Sequence, residues 1–207
     1  MLRAFLLTLV MLMSHAVAAE GLRIGLSADY PPLVYRQDGE IVGIEADNIR
    51  AVGKMLNRDM VMVDMAFEKL IPALLAGEID VIMSGFSVTD ERSQKVAFTE
   101  PFMTIGQMAI VHRDKVARFG QPWSIFREGV RIGVEPGTTG AAFAESELTD
   151  AIISQFANAE EAFAGLRQDK IDLYIHDAPT SWRLATNTED NDLISLYLPL
   201  TTEHLAW

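Results

Sequence analysis

The sequence predicts an α/β fold, and three features of the chain lead to this prediction. Segments with the two-residue alternation of strands are interspersed with segments of helical spacing. Residues 79–83 form a near-continuous apolar run, which is typical of a strand covered on both faces. A second series of strands and helices follows the first, so the chain is expected to build two units of similar construction.

The first series begins at Leu22–Leu26, which alternates like a strand. It runs into Tyr30-Pro31-Pro32, where the prolines block helix entry and force a loop. Apolar residues then recur at helical spacing from Ile44 to Met55. The predicted segments are a strand at 22–26, a hairpin turn at 37–40, a helix at 44–55, a strand at 60–63, a helix at 70–75 and a strand at 79–83.

The second series follows an apolar segment at 107–111 and a polar loop. Residues 74–82 and 166–174 echo each other, since each contains a helix end, a turn and a buried strand that carries Ile-Asp. The echo indicates two similar lobes, and ligands of such sheets bind beyond the carboxyl ends of the strands. The predicted segments are strands at 130–134, 151–155 and 171–175 and helices near 140–146, 159–168 and 178–186.

Composition places the chain among ordinary globular proteins and narrows its partners. Of its 207 residues, 49% are hydrophobic and 22% are charged, which is enough to bury a core. The formal charge of −12 argues against nucleic acid and anionic membranes, because both would repel the chain. The chain has no cysteine, so we expect no disulfide, no thiolate metal site and no lipid-anchored cysteine.

The first 18 residues have the pattern of an export signal. Arg3 gives a positive start, residues 4–13 are apolar apart from Thr8, and Ala16-Val17-Ala18 offers a small-residue cleavage site. An apolar stretch of this length is too short to span a bilayer, and a buried N-terminal helix is the other interpretation. We therefore expect a free, soluble, monomeric protein outside the cytoplasm, in the periplasm.

The most informative junction leaves the strand predicted at 79–83 and opens a helix. Thr89 suits the N-cap of that helix, and Asp90 and Glu91 suit the positive end of its dipole. Arg92 opposes the same dipole by about 0.3 to 1 kcal/mol. An anion held among Arg92, the helix N–H groups and nearby serine hydroxyls would remove this conflict. A solvated arginine paired with a neighbouring carboxylate is the alternative.

A second junction, at residues 134–140, again joins a strand end to a helix start. Gly137 lets backbone N–H groups approach a ligand closely, and Thr138 and Thr139 can cap the helix or donate their hydroxyls. The strict phosphate-loop pattern is absent, and plain helix capping is the alternative.

The third junction ends in Asp177, which follows a buried strand. Asp177 can cap the next helix or accept a hydrogen bond from a ligand ammonium, and both interpretations stay open. Together, Arg92 and Asp177 would present complementary charges to a zwitterion. Tyr30 and Phe86 can supply aromatic walls, although core packing explains them equally well. No metal-ligand spacing or nucleophile motif occurs, so we expect no metal, no cofactor and no catalytic residue.

Taken in order, these segments resemble one family, the bacterial extracellular solute-binding proteins of family 3, which are the polar amino-acid receptors of ABC importers. The resemblance covers essentially all of residues 20–207. Its most specific segments are residues 22–25 with 30–32, 43–47, 70–74, 79–92, 97–102 and 133–139.

The resemblance implies a type II periplasmic-binding-protein fold, an α/β structure of two lobes joined by a hinge of two crossing strands. The hinge strands are implied near residues 104–107 and 198–201. Family members continue past the position of Trp207, so the sequence is expected to be truncated there. The implied division is a signal peptide at 1–18, lobe 1 at 20–105, lobe 2 at 108–195, and the second hinge strand with a truncated return to lobe 1 at 196–207.

The resemblance also implies how a ligand is held. Arg92 takes the α-carboxylate of the ligand, Asp177 takes the α-ammonium, and Tyr30 packs against the stem. Ser27 stands where receptors for basic amino acids often carry an aspartate, so a cationic ligand side chain is not expected. The predicted ligand-binding residues are Arg92 with Gly85, Ser87 and Thr139 at the carboxylate, Asp177 with Ser84 at the ammonium, and Tyr30, Phe86, Gly137 and Thr138 around them.

The implied function is capture of an amino acid or similar small carboxylate by hinge closure, followed by delivery to the membrane permease of an ABC importer. Two other classes stay open. The fold also hosts cyclohexadienyl and arogenate dehydratases, in which Arg92 would again bind a carboxylate. It also occurs as the ligand-sensing domain of larger receptors.

Overall fold

The computed structural model describes residues 21–186, 192–196 and 198–207, and the export signal expected at residues 1–18 lies outside them. Its strands are β1 (Leu22–Leu26), β2 (Asp29–Tyr30), β3 (Val34–Gln37), β4 (Glu40–Val42), β5 (Met60–Asp64), β6 (Val81–Ile82), β7 (Phe86–Ser87), β8 (Met103–Ile105), β9 (Gln107–His112), β10 (Arg131–Val134), β11 (Ile152–Gln155), β12 (Leu173–Asp177), β13 (Leu193–Ser195) and β14 (Glu203–Ala206). Its helices are α1 (Ile44–Leu56), α2 (Leu70–Leu75), α3 (Asp90–Ser93), α4 (Val116–Phe119), α5 (Thr139–Glu147), α6 (Ala159–Arg167) and α7 (Ala178–Thr186).

The first unit is a parallel sheet in which β1 lies between β5 and β6. In one core cluster, Ile49 of α1 packs with Ile24 and Leu26 of β1. In a second cluster, Leu70 of α2 packs with Ile82 of β6. Both core clusters therefore contain buried apolar residues from helices. This agrees with the apolar run at 79–83, which predicts a strand covered on both faces.

Antiparallel strands extend this unit in two places. Strands β2, β3 and β4 form a meander whose turn contains Asp38 and Gly39 at φ 52° and 84°, which confirms the hairpin predicted at 37–40. Further along the chain, β14 lies between β7 and β8 and pairs with both in antiparallel fashion. The last described residues thus return to the first unit.

The second unit is a mixed sheet with the strand order β11-β10-β12-β9-β13. Strands β10, β11 and β12 are parallel, while β9 is antiparallel to both β12 and β13. Ala144 of α5 packs with Ile132 of β10 in one core cluster. Phe163 of α6 packs edge-on against Tyr174 of β12 in another, with ring centroids 5.8 Å apart. The unit therefore has its own buried core.

The two units meet at a crossing of two chain segments. Gly106 separates β8 from β9, and a Cβ at this position would lie 2.2 Å from the carbonyl oxygen of Thr201. The backbone N–H of Leu200 donates to the carbonyl of Gln107 at 2.7 Å. Because the segments touch so closely, only glycine fits at position 106 without a shift. The exact division into lobes stays a prediction.

The alternation of strands and helices is confirmed, and the differences are local. The strand predicted at 171–175 is instead Leu173–Asp177, because the N–H groups of Lys170 and Ile171 still bond to the carbonyl of Gly165 at the end of α6. The strand predicted at 79–83 is reduced to Val81–Ile82. As a consequence of the first shift, Asp177 lies within a strand rather than after it.

Candidate functional site

A cavity lies where the carboxyl ends of β1, β6, β10 and β12 meet. Ser27, Ser84, Glu135 and Asp177 come from these four strand ends and line it together. This is the position at which open α/β sheets bind ligands. The space available to the centre of a water molecule is about 30 Å³, so the two units close tightly on each other here. The other lining residues are Asp29, Tyr30, Phe67, Gly85, Ser87, Arg92, Gln107, Thr138, Thr139, Ile175 and His176.

Arg92 lies on α3 at the wall of this cavity, and its position follows from the capping of that helix. The Thr89 hydroxyl accepts a hydrogen bond from the Arg92 N–H at 3.1 Å, which confirms Thr89 as the N-cap. The guanidinium lies over the Phe86 ring, 4.1 Å from its centroid. Its Nη1 donates to the carbonyl of Ser87 at 2.8 Å, and its Nη2 donates to the carbonyl of Gly137 at 3.0 Å.

Arg92 is a buried cation with only 8% of its surface exposed. Within residues 21–186, 192–196 and 198–207, no carboxylate lies within salt-bridge distance of its guanidinium. Burial lowers the pKa of Arg92 from its ordinary value, while the charges of Asp177 and Glu203 act in the opposite direction. Buried charges are normally paired, so the site favours an incoming anion.

Asp177 lies at the end of β12 and faces the first unit. It accepts a hydrogen bond from the Tyr30 hydroxyl at 2.6 Å and another from the Gln107 side-chain amide. Burial raises the pKa of Asp177 from its ordinary value, and the charge of His176 opposes this rise. The Tyr30 bond crosses from one unit to the other, so Asp177 both carries charge in the cleft and joins its walls.

A second acidic group lies at the end of β10. Glu135 Oε1 is 3.4 Å from His176 Nε2 and accepts a hydrogen bond from the Tyr174 hydroxyl. Burial opposes ionisation of Glu135, but His176 outweighs this effect and lowers its pKa. Asp29 also lines the cavity, where partial burial of its carboxyl group raises its pKa and the nearby Glu135 adds to the rise. Two carboxyl groups therefore lie at this end of the cleft, and one of them, Glu135, is paired with His176.

Glu203, the first residue of β14, lies behind the cavity wall. Its Oε2 accepts hydrogen bonds from the hydroxyls of Ser87 and Thr139, both at 2.7 Å. Its Oε1 accepts from the Thr201 hydroxyl at 2.7 Å and from the Gln107 amide at 3.1 Å. Burial opposes its ionisation, but these bonds outweigh that effect and lower the pKa of Glu203. One carboxylate thus joins the first unit, the second unit and both crossing segments.

The predicted site residues come together, although some of their polar groups are already used. Ser84 accepts a hydrogen bond from the Ser27 N–H at 2.9 Å, and the Gly85 N–H donates to Glu45 at 2.9 Å. Thr138 caps α5 by accepting from the Ala141 N–H at 3.1 Å. The predicted residues that line the cavity are Tyr30, Ser84, Gly85, Ser87, Arg92, Thr138, Thr139 and Asp177, while Phe86 and Gly137 contact Arg92 beside it.

Sequence reasoning assigned no site role to Glu135, Gln107 or Glu203. Glu135 follows a predicted strand directly, so the rule applied to Asp177 could have found it. Gln107 and Glu203 lie on the crossing segments, and only the tertiary fold brings them to the cleft. The described part of the chain contains no group of three or more His, Asp or Glu side chains arranged to hold a metal ion.

The two α/β units, the crossing segments and the cleft between them define the class: a two-lobed binding protein with the type II periplasmic-binding-protein fold. Within this class, the chain belongs to the bacterial extracellular solute-binding proteins, family 3, whose family model matches residues 22–160.

Curated relatives agree with this membership. ABC transporter arginine-binding protein 1 from Escherichia coli (strain K12) is 32% identical over 158 residues, which are 76% of this chain and 63% of the relative. A probable histidine-binding protein from Campylobacter jejuni is 30% identical over 85% of this chain and 66% of its own length. The chain thus spans about two thirds of the length of these relatives. By name they are binding proteins rather than enzymes.

Solved structures show the same fold. The holo arginine-binding protein of T. maritima superposes with a TM-score of 0.79 at 32% identity, covering 89% of this chain and 80% of its own. An ancestral amino acid-binding protein, described as a precursor of cyclohexadienyl dehydratase, gives 0.83 at 30% identity over 96% and 84% of the two chains. Among the described residues, no helix combines the length and apolar character needed to cross a membrane.

Proposed function

We propose that this chain captures an amino acid outside the cytoplasm, in the periplasm, and delivers it to the permease of an ABC importer. One observation carries the proposal: Arg92 is a buried cation in the cleft, with no carboxylate in contact among the described residues. The α-carboxylate of the ligand would supply the missing anion. Asp177, held by Tyr30 and Gln107, would accept the α-ammonium.

We further propose that the ligand carries a cationic side chain. Asp29 and Glu135 place two carboxyl groups at one end of the cleft, and the relatives that support this proposal are named for arginine and histidine binding. The proposal departs from the expectation drawn from Ser27. A carboxylate is absent at that position, but Asp29 and Glu135 supply acidic groups from other positions lining the same cavity.

A thermal-shift screen tests this function. L-arginine, L-lysine and L-histidine are compared with L-glutamine and L-glutamate on the purified chain. A ligand at a hundred times its Kd stabilises the folded state by about 2.7 kcal/mol, so the melting temperature should rise clearly with at least one cationic amino acid. A melting temperature that none of the five changes would contradict the proposal, as would turnover of prephenate or arogenate in a spectrophotometric assay.

A further inference from the structure

The hydroxyls of Ser87 and Thr139 line the cavity, but their protons are already used. Each hydroxyl carries a single proton, and both donate to Oε2 of Glu203 at 2.7 Å. The Gln107 amide nitrogen lies 3.0 Å from Thr139 Oγ1, and its two N–H groups are shared among Thr139, Asp177 and Glu203. On the cavity side these hydroxyls therefore present lone pairs, which suit a donor on the ligand and not a carboxylate.

Glu203 is held firmly in this position. Its other oxygen accepts from Thr201 at 2.7 Å and from Gln107 at 3.1 Å. Each of these bonds would have to break before the carboxylate could turn away and release the two hydroxyl protons. Hydrogen bonds to charged groups are among the strongest in proteins, so displacement by a ligand carboxylate is unfavourable.

Glu203 also acts on Arg92 through its charge. The two groups make no salt bridge, yet the Glu203 carboxylate contributes negative charge that stabilises the buried guanidinium. A ligand carboxylate at Arg92 is therefore repelled by a neighbouring negative charge. A second carboxylate on the ligand would meet the same repulsion from Asp177 and Glu203.

We propose that Glu203 is a specificity-determining residue: it takes the hydroxyl protons of Ser87 and Thr139 and so biases the cleft towards ligands that carry more cationic than anionic groups. This inference rests on the proposed function, because it assumes that Arg92 takes the single carboxylate that such a ligand carries. It adds a residue from the second crossing segment to the binding site.

Isothermal titration calorimetry with L-arginine and L-argininamide tests the inference. The two probes differ only in the carboxylate, so the ratio of their Kd values, amide over acid, measures carboxylate recognition alone. Glu203→Ala frees both hydroxyl protons and removes the charge, and the ratio should rise about tenfold or more. Glu203→Gln removes the charge but keeps an acceptor oxygen, and the rise should be smaller. Glu128→Ala removes an exposed carboxylate elsewhere and should leave the ratio unchanged.

An unchanged or lower ratio in Glu203→Ala would overturn the inference. If that variant does not fold, Glu203→Gln decides by the same criterion. If the parent chain binds neither probe, the proposed function is contradicted for these ligands. The inference about Glu203 is then judged by whether either Glu203 variant gains binding of L-arginine. A gain would support the inference, and no gain would overturn it.

Discussion

At the scale of single residues, the cleft combines one arginine with several carboxylates that burial alone would disfavour. Each group is stabilised by specific partners: Glu203 by hydroxyls and an amide, Glu135 by His176, and Asp177 by Tyr30. Arg92 differs, since its contacts are two carbonyl oxygens and the faces of aromatic rings. The arrangement leaves Arg92 as the group with most to gain from an anionic ligand.

The pairing of His176 with Glu135 predicts a pH dependence of stability. Burial opposes protonation of His176, but Glu135 and Asp177 outweigh it and raise the pKa of His176 above its ordinary value of 6.5. The folded chain thus holds the proton more tightly than the unfolded chain. The resulting stabilisation is complete below pH 6.5 and is lost as the pH rises through the folded-state pKa, at about 1.4 kcal/mol per unit of pKa difference.

Urea unfolding of the parent and of His176→Gln measures this pH-dependent contribution of His176 to stability. The free energy of unfolding of the parent, relative to the variant, should decrease as the pH is raised from mildly acidic to mildly alkaline values. A difference that stays constant or grows with pH would contradict the assignment.

At the scale of elements, the loop from β6 to β7 must turn sharply to bring Arg92 to the cleft. Gly85 has φ 62°, and a Cβ there would lie 2.7 Å from atoms of Leu33 and Tyr30. Gly77 has a similar φ of 70° but no atom within 4 Å of the corresponding position. Both alanine variants strain the backbone, but only Gly85→Ala also overpacks the core.

We therefore expect Gly85→Ala to lower the free energy of unfolding by about 1 to 3 kcal/mol more than Gly77→Ala does. Denaturant unfolding of both variants measures the difference. Equal losses would show that the contacts at Gly85 relax without cost.

Local sequence reasoning works where a signal lies within one segment. The Thr89 cap and the 37–40 hairpin are such signals, because capping and turn geometry involve only neighbouring residues. The dipole conflict expected at Arg92 is not, since α3 is a single turn and Arg92 also belongs to its last turn. The role of Glu203 had no local signal, since its partner Ser87 is 116 positions away. Strand β14 has no local signal for the same reason, because its pairing with β7 and β8 is entirely long-range. Only the family resemblance implied a second hinge strand and a return to lobe 1 within residues 196–207.

At the scale of the whole molecule, a few bonds join the two lobes across the cleft. The Tyr30 hydroxyl donates to Asp177 at 2.6 Å, and Arg92 donates to the Gly137 carbonyl at 3.0 Å. A hydrogen bond to a charged group contributes about 1.5 to 3 kcal/mol, so loss of one should shift the balance between closed and open forms by roughly 10- to 100-fold. The lobes are thus held together by contacts close to the proposed ligand.

Tyr30→Phe removes one of these bonds without changing the ring. Small-angle X-ray scattering should give a larger radius of gyration for this variant than for the parent, both without ligand. Tyr35→Phe, at a partly buried position outside the cleft lining, should match the parent. Identical scattering from Tyr30→Phe would show that the bond does not contribute to closure.

The central claim is that Arg92 binds the carboxylate of an amino acid. Isothermal titration calorimetry with L-arginine tests it on the parent, on Arg92→Met, and on Arg118→Met as a control that removes an exposed arginine stacked on Phe119. Charge-assisted hydrogen bonds contribute about 1.5 to 3 kcal/mol each, so their loss should make the Kd of Arg92→Met at least tenfold larger. The Kd of Arg118→Met should match that of the parent. An Arg92→Met protein that is folded and binds L-arginine as tightly as the parent would contradict the claim.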